Sequence, residues 1–480
     1  MISIDSALSR LQATESKDLL EQYDSHISPI FEKLSLESDL QKKVNFCSNL
    51  QHQLFLPFVK RINTLDHFDS AYWRIADLTL PISREMDSYL QYKFPVIPQA
   101  RGEHIHKVLW IIKGPFDLAH MDCVKNFLFG ESLFKANTHN ASEYFQSIHF
   151  LLFLDVPVPN VFKNRSNVVS FASKNGAFLK LYRLREMIHS SGIKTIIWPS
   201  VFQDHSLYMG IRHAEQQIFW SAKHRIQVLP STIDQYFFGG FSKHVELYRG
   251  VEWKYGRYDL TPWYGLKRLH ASEPSITDSN LDSLDLRRIK SNFRFLLGSC
   301  CVEQKYNSPS FWSVIDKILA DQPRAAYCFT GRSLLPEVEK LLCQTRCRDR
   351  IFFVGWQKNI NAYLAQLDLY LDAFPFGSGH VLYSAWRQLI PTISLVTFDN
   401  MRLSLMHSLK HIDDIFDGTT FSLPGICNSV EDYAEIAAKC INNSHFRSTV
   451  AAAQSKLAQN FMSNPVGMYE DFNSYICQSS

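Results

Sequence analysis

A chain of 480 residues is too long for one ordinary hydrophobic core, and its 46% apolar and 20% charged residues are those of a globular protein. Fifty basic residues against 47 acidic ones leave a formal net charge of +3, which gives no bulk attraction to nucleic acid or to an anionic membrane surface. No run approaches the ~20 apolar residues of a membrane span. The opening stretch MISIDSALSRLQATESKDLLEQYDS has no basic segment followed by an apolar one, and the ten cysteines form no CxxC pair or spaced Cys/His set. The expectation is a cytoplasmic protein with reduced thiols, no metal site, no nucleic-acid partner and no integral membrane association.

Residues 1–100 read as helical. Leu8, Leu11, Leu19, Leu20, Ile27, Ile30 and Phe31 recur at helical spacing, and the pattern continues through 50–59 and 82–92. No 34-residue period occurs, so this is a helical cap or protein-contact region rather than a repeat array. From Lys107 the pattern changes to short continuous apolar runs of the buried-strand kind: KVLWII, HFLLFL (149–154), NVVSFA (167–172), KTIIWPS (194–200) and RIQVLP (225–230). The segment GAFLKLYRLREMIHS (176–190) between two of them has the i, i+3, i+4, i+7 pattern of an amphipathic helix. Strands alternating with helices predict a parallel sheet covered on both faces, so residues 101–270 form a first α/β domain.

The polar stretch ASEPSITDSNLDSLD (271–285) reads as a linker. A second alternating set then fills 286–480. It runs FRFLLGSC, a helix over 309–320, AAYCFTG, a helix over 335–342, RIFFVGW, a helix over 360–367, and the unit DLYLDAFPFGSGHVLYSAWRQLIPTISLVT (368–397). Helices over 430–440 and 446–462 close the chain and can pack on either domain. The predicted fold class is α/β: two doubly wound, Rossmann-like domains facing a cleft, behind an amino-terminal helical region.

The unit 368–397 is the most informative. It is a strand, a Gly-containing turn FPFGSGH, a helix and a second strand. Backbone amides at such a turn lack helical partners and point at one spot, with the positive end of the helix dipole behind them. That arrangement suits a phosphate, which would meet Ser378, Gly379, His380 and Val381. No Walker loop, G-x-G-x-x-G or G-x-S-x-G element stands where it would be needed.

With these residues in view, RDRIFFVGWQKNINAYLAQLDLYLDAFPFGSGHVLYSAWRQLIPTIS resembles the donor-binding half of family 41 glycosyltransferases, the O-GlcNAc transferases and bacterial cytoplasmic N-glycosyltransferases. SCCVEQKYNSPSFWSVIDKIL resembles their loop after the domain's first strand, with Gln304 and Lys305 ahead of Asn307 and Pro309. IRHAEQQ resembles their RxAPxQ step through Arg212 and Gln217, and STIDQYFFGG a strand that follows it. The resemblance implies a GT-B fold and inverting, metal-independent transfer of a hexose or N-acetylhexosamine from a UDP-sugar, with no further cofactor. Lys305, Gln304, Ser378, Gly379, His380, Val381, Arg212 and Gln217 become the expected donor contacts. The acceptor implied is a protein side chain, with a glycan as the alternative.

The resemblance also marks departures. Val381 and Leu382 follow His380 where O-GlcNAc transferases carry two threonines, no carboxylate near Ser384 awaits a ribose, and SAKHRIQVLP lacks the relatives' GHP loop. Those gaps leave open a catalytically silent homologue that partners an active transferase. On the acceptor side, IIKGPFDLAHMDCVKNF resembles a first-domain loop whose histidine lies near acceptor and donor. His120 is the expected base or phosphate contact, with Asp117 to orient it or serve as base itself. His205, His213 and His224 are weaker candidates.

Overall fold

The computed structural model describes residues 19–61, 65–96, 107–112, 127, 130–131, 133, 147–152, 168–170, 175–199, 205–221, 230–240, 244–248, 251–257, 286–357, 360–375, 377, 379–395, 423–461 and 465–477. The amino-terminal part is three helices, α1 (Leu19–Ser35), α2 (Leu40–Arg61) and α3 (Leu65–Lys93). Each buries one stripe: Ile27, Phe31 and Leu34 on α1, Val44, Cys47 and Leu50 on α2, and Ile82, Met86 and Leu90 on α3. These spacings of three and four residues put the stripe on one helix face, and the apolar stripes join a common core with the domain that follows.

That domain is an eight-stranded sheet built from β1 (Lys107–Ile112), β2 (Ser147–Leu152), β3 (Val168–Ser170), β4 (Thr195–Pro199), β5 (Gln216–Ser221), β6 (Gln235–Gly240), β7 (His244–Tyr248) and β8 (Val251–Arg257). The strand order is β3-β2-β1-β4-β5-β6-β8-β7, parallel throughout except for β7, which runs antiparallel to β8 at one edge. Helix α4 (Ala177–Ser191) ends at Gly192 in the left-handed conformation, φ 63°, where glycine carries no Cβ penalty. Helix α5 (His205–Met209) meets α2 and α3 through buried polar groups. Ser206 Oγ lies 2.6 Å from Thr79 Oγ1 and accepts from Gln51 Nε2, and Ser83 Oγ donates to Leu207 O at 3.0 Å. A buried hydroxyl without such a partner costs about 1–3 kcal/mol, so this network fixes one register of the helical part on the sheet domain. The run RIQVLP, read from sequence as a strand, lies outside the described residues apart from Pro230; the strands on either side of it are β5 and β6.

The second sheet has six strands, β9 (Phe295–Ser299), β10 (Ala325–Phe329), β11 (Ile351–Phe353), β12 (Leu369–Leu371), β13 (Thr392–Leu395) and β14 (Ile426–Cys427), following α6 (Leu286–Asn292). Their order is β11-β10-β9-β12-β13-β14 and every pairing is parallel. Burial on both faces explains the unbroken apolar runs: all residues of β10, β12 and β13 are buried. The crossovers include α7 (Pro309–Asp321), α8 (Pro336–Leu342), α9 (Ile360–Leu364) and α10 (Gly379–Arg387), and α11 (Val430–Asn442) follows the last strand. Ser308 caps α7 by accepting from Phe311 N at 3.3 Å, with Pro309 at the first helical position.

Two closing helices follow, α12 (Ser444–Phe461) and α13 (Pro465–Cys477). Gln454 on α12 bonds Thr392 N and O at the start of β13, at 2.9 and 2.8 Å. Helix α13 crosses to the first sheet, where Phe472 stacks on Trp220 and Trp110 with centroids 5.0 and 5.5 Å apart. The sequence left the carboxyl-terminal helices free to choose a domain; the structure divides them, α12 on the second sheet and α13 on the first. No described helix is long and apolar enough to cross a membrane.

Candidate functional site

In both sheets the strand that starts the domain lies beside the fourth: β1 next to β4, and β9 next to β12. Chain direction of assembly reverses at that point, so the crossovers on either side diverge and leave a crevice at the strands' carboxyl ends. In the second domain this crevice falls between the loop after β9 and the turn after β12.

The β9 loop runs through Cys300, Cys301 and a 3-10 turn, Glu303–Tyr306. Tyr306 is completely buried and anchors the turn: its hydroxyl accepts from Cys301 N at 3.3 Å, and its carbonyl accepts from Trp312 Nε1 at 2.7 Å. With Tyr306 held inward, neighbouring Lys305 reaches across the crevice. Its Nζ donates to Gly377 O at 2.5 Å, closing the distance between the two loops. Burial pushes the Cys300 thiol up to about 11 and that of Cys301 up to about 12, so both are neutral near pH 7 and neither is a poised nucleophile.

The opposite wall is the turn after β12. Asp372 is buried and fixed by Ser394 Oγ, which donates to its Oδ2 at 3.3 Å, while Tyr433 Oη donates to its carbonyl at 2.9 Å. A Cβ at position 377 would fall inside contact distance of Asp372 Oδ2, so only glycine lets the turn pass over this carboxylate. Gly377→Ala is expected to lower stability by about 1–3 kcal/mol, the range for overpacking a filled site. Denaturant unfolding reads this, and an unchanged midpoint would show that the turn does not rest on Asp372.

Helix α10 begins at Gly379, directly after the turn. Leu382, Tyr383, Ala385 and Trp386 are buried and Val381 is half-buried against the core. The apolar residues after His380 therefore serve packing, and what α10 offers the crevice is its first-turn amides and the positive end of its dipole. It carries no acidic residue in that turn.

Two further loops join the same edge. Arg332, after β10, donates its backbone N–H to Glu303 Oε2 at 3.3 Å and sets its guanidinium 5.1 Å from the ring centroid of Trp356. Trp356, after β11, is 52% exposed, although large aromatics usually bury more. Gly331 N donates to Gly355 O at 3.3 Å, tying these loops together. Glu303, Arg332, Trp356 and Asp372 were not among the sequence-derived site residues. Reading every position just past a strand's carboxyl end, as in TGR and VGW, would have found Arg332 and Trp356.

Of the expected donor contacts, Gln304 and Lys305 fall in the 3-10 turn after β9, and Gly379, His380 and Val381 in the first turn of α10, with the Val381 side chain packed against the core. Ser378 lies outside the described residues, as do Asp117 and His120 in the segment after β1. Arg212 and Gln217 are elsewhere. They precede or open β5, at the amino-terminal edge of the first sheet, opposite to the strands' carboxyl ends. Gln217 is fully buried; its Nε2 donates to Ile211 O and Thr232 O at 3.0 and 2.9 Å, and its Oε1 accepts from His213 N at 3.1 Å. Arg212 pairs with Asp234 at 2.5 Å. The expectation of donor contact from these two thus meets a different arrangement, because their polar atoms are engaged in closing the β5–β6 connection. Among the described residues no group of His, Cys, Asp and Glu is arranged to hold a metal ion.

No protein-family model matches the chain, and no curated protein matches it. Among solved structures it is similar to a mutant O-GlcNAc transferase of Thermobaculum terrenum, with a TM-score of 0.58 and 12% identity over 98% of this chain and 89% of that one. Fainter likenesses reach an E. coli protein described as trehalose-6-phosphate bound with UDP-2-fluoro glucose (TM-score 0.47, 10% identity, 78% of this chain and 99% of that one) and sucrose-phosphate synthase of Thermosynechococcus elongatus (0.46, 11%, 78% and 100%). The first similarity and the two sheets define the class: the chain has the GT-B architecture of two Rossmann-like units.

Proposed function

We propose that this chain is an inverting, metal-independent glycosyltransferase related to family 41 that moves a hexose or N-acetylhexosamine from a UDP-sugar to a protein side chain. The observation that carries the reading is the Lys305 ammonium, held at the switch point of the second sheet against the turn that opens α10. A nucleotide diphosphate placed there meets one fixed cation and the unpaired amides of a helix start, the donors needed to stabilise a leaving diphosphate. In the transfer step the acceptor heteroatom bonds to the sugar's anomeric carbon from the face opposite the diphosphate. The carbon–oxygen bond to UDP breaks, UDP leaves with the electron pair, and the acceptor's proton passes to a base. His120, oriented by Asp117, is the proposed base; both follow β1, the strand at the first sheet's own switch point.

The proposed stacking partner for the nucleotide's base is Trp356, whose ring carries Arg332. Since Trp356 is half exposed, Trp356→Ala should weaken UDP binding by about 1 kcal/mol, the low end of aromatic–base stacking, or roughly fivefold. Calorimetric titration of UDP checks this, and an unchanged dissociation constant would remove Trp356 from the site.

The reading as a whole is tested by thermal shift with a nucleotide panel followed by incubation with labelled UDP-sugars and a cell lysate. Stabilisation by UDP above CDP and GDP, and label running with protein, are the expected outcomes. Label on glycan would assign a saccharide acceptor. UDP binding without any transfer would identify a silent GT-B homologue, the alternative that Val381 and Leu382 after His380 and the missing carboxylate near Ser384 leave open.

A further inference from the structure

A second feature lies far from the crevice, at the amino-terminal edge of the first sheet. A narrow recess of about 10 Å³ opens between the chain leaving α3 and the end of α4, lined by Val96, Arg185, His189, Lys194 and His213 among others. Arg185 is 1% exposed. Its Nε donates to Phe94 O at 2.7 Å and its Nη1 donates to Arg212 O, but its Nη2 has no hydrogen-bond partner. His213 is also 1% exposed, and its ring is directed at the Tyr208 backbone. Asp87 acts on Arg185 only through its charge, without an ion pair, and is itself engaged by Arg212 N at 3.2 Å.

A guanidinium taken out of water with one nitrogen unused and without a carboxylate in contact is a costly arrangement. We propose that this recess binds a small oxyanion, a carboxylate or a phosphate, whose one inserted oxygen accepts from Arg185 Nη2 beside the His213 ring. Burial holds the His213 imidazole neutral, pulling it down to about 3, so Arg185 supplies the charge. The recess admits a single oxygen atom, which excludes a sugar or nucleotide as the inserted group. Lys194 and His189 line the same recess, with His189 Nδ1 3.1 Å from Pro95 O. Because α3 belongs to the helical amino-terminal part and α4 to the sheet domain, the bound anion would lock the two together. This inference is independent of the donor reading.

The test uses the full chain. Acetate, inorganic phosphate and chloride are titrated separately, with ionic strength held constant by a bulky sulfonate, while the His213 ring carbon-bound proton is followed by NMR after ¹³C-histidine labelling. A saturable shift with acetate or phosphate is expected, and the stronger of the two names the source. Arg185→Lys, which keeps the charge but loses the planar fork, should weaken binding by about tenfold. Val96→Trp, in the lining of the recess, should abolish it while leaving the melting temperature in anion-free buffer unchanged, and this variant reads the site even if Arg185→Lys fails to fold. No saturable shift with either oxyanion, an equal response to chloride, or the same response in the folded variants would overturn the proposal.

Discussion

Replacing Lys305 by alanine is expected to weaken UDP binding by roughly 10- to 100-fold, the equivalent of about 1.5–3 kcal/mol for hydrogen bonds to a charged group. The size follows from where the ammonium stands. It lies in a partly buried crevice, pointed by buried Tyr306 and held against Gly377 O, so the side chain is pre-ordered before any phosphate arrives. The fold should survive, since the variant gives up one protein hydrogen bond worth about 1 kcal/mol. Calorimetric titration with UDP, beside a melting curve, separates the two effects. Unchanged UDP affinity would remove Lys305 from the site and with it the main support for a donor crevice between β9 and β12.

The largest effect on stability is expected at Phe472. Its ring is 1% exposed and lies among four aromatic partners, stacked on Trp110 and Trp220 and edge-on to Phe127 and Phe237, at centroid distances from 4.8 to 6.0 Å. Phe472→Ala empties the middle of that cluster and should cost about 3–5 kcal/mol, from lost transfer energy and a cavity the stacked indoles cannot fill. For domains of this size that corresponds to a melting temperature lower by roughly 6–20 °C. Limited proteolysis should then cut before α13, because the helix's seat on the first sheet depends on this ring. A shift under about 2 °C would mean that α13 is held by something other than the aromatic cluster.

Much of the fold could be read from the residues. Runs such as KVLWII and AAYCF are apolar without alternation because parallel strands are buried on both faces, and their alternation with amphipathic helices leaves few other architectures. The turn after β12 was legible for a similar reason: a strand, glycines and a helix start in sequence are local features, and local features fix the direction of the amides. Arg212 and Gln217 show the limit. Their motif resembled a donor contact, yet position relative to a strand's two ends is a property of the assembled sheet, and they stand at the amino-terminal edge. Trp356 and Arg332 escaped notice because each is unremarkable in its own loop; only the packing of adjacent βα loops brings them together.

By itself, the sequence determined most of the elements in order, though not β7, β8, β14 or α13, together with the two α/β units and the identity of Gly377 and Lys305 as members of loops that follow strands. Periodicity and backbone chemistry act within a few residues, so a linear reading reaches them. The tertiary structure alone decided that Lys305 meets Gly377 across 72 positions of chain, that Asp372 sits beneath that glycine, and that α13 returns to the first sheet. Those outcomes depend on strand order and on the filling of space by particular rings and carboxylates, and both are set only when distant segments pack.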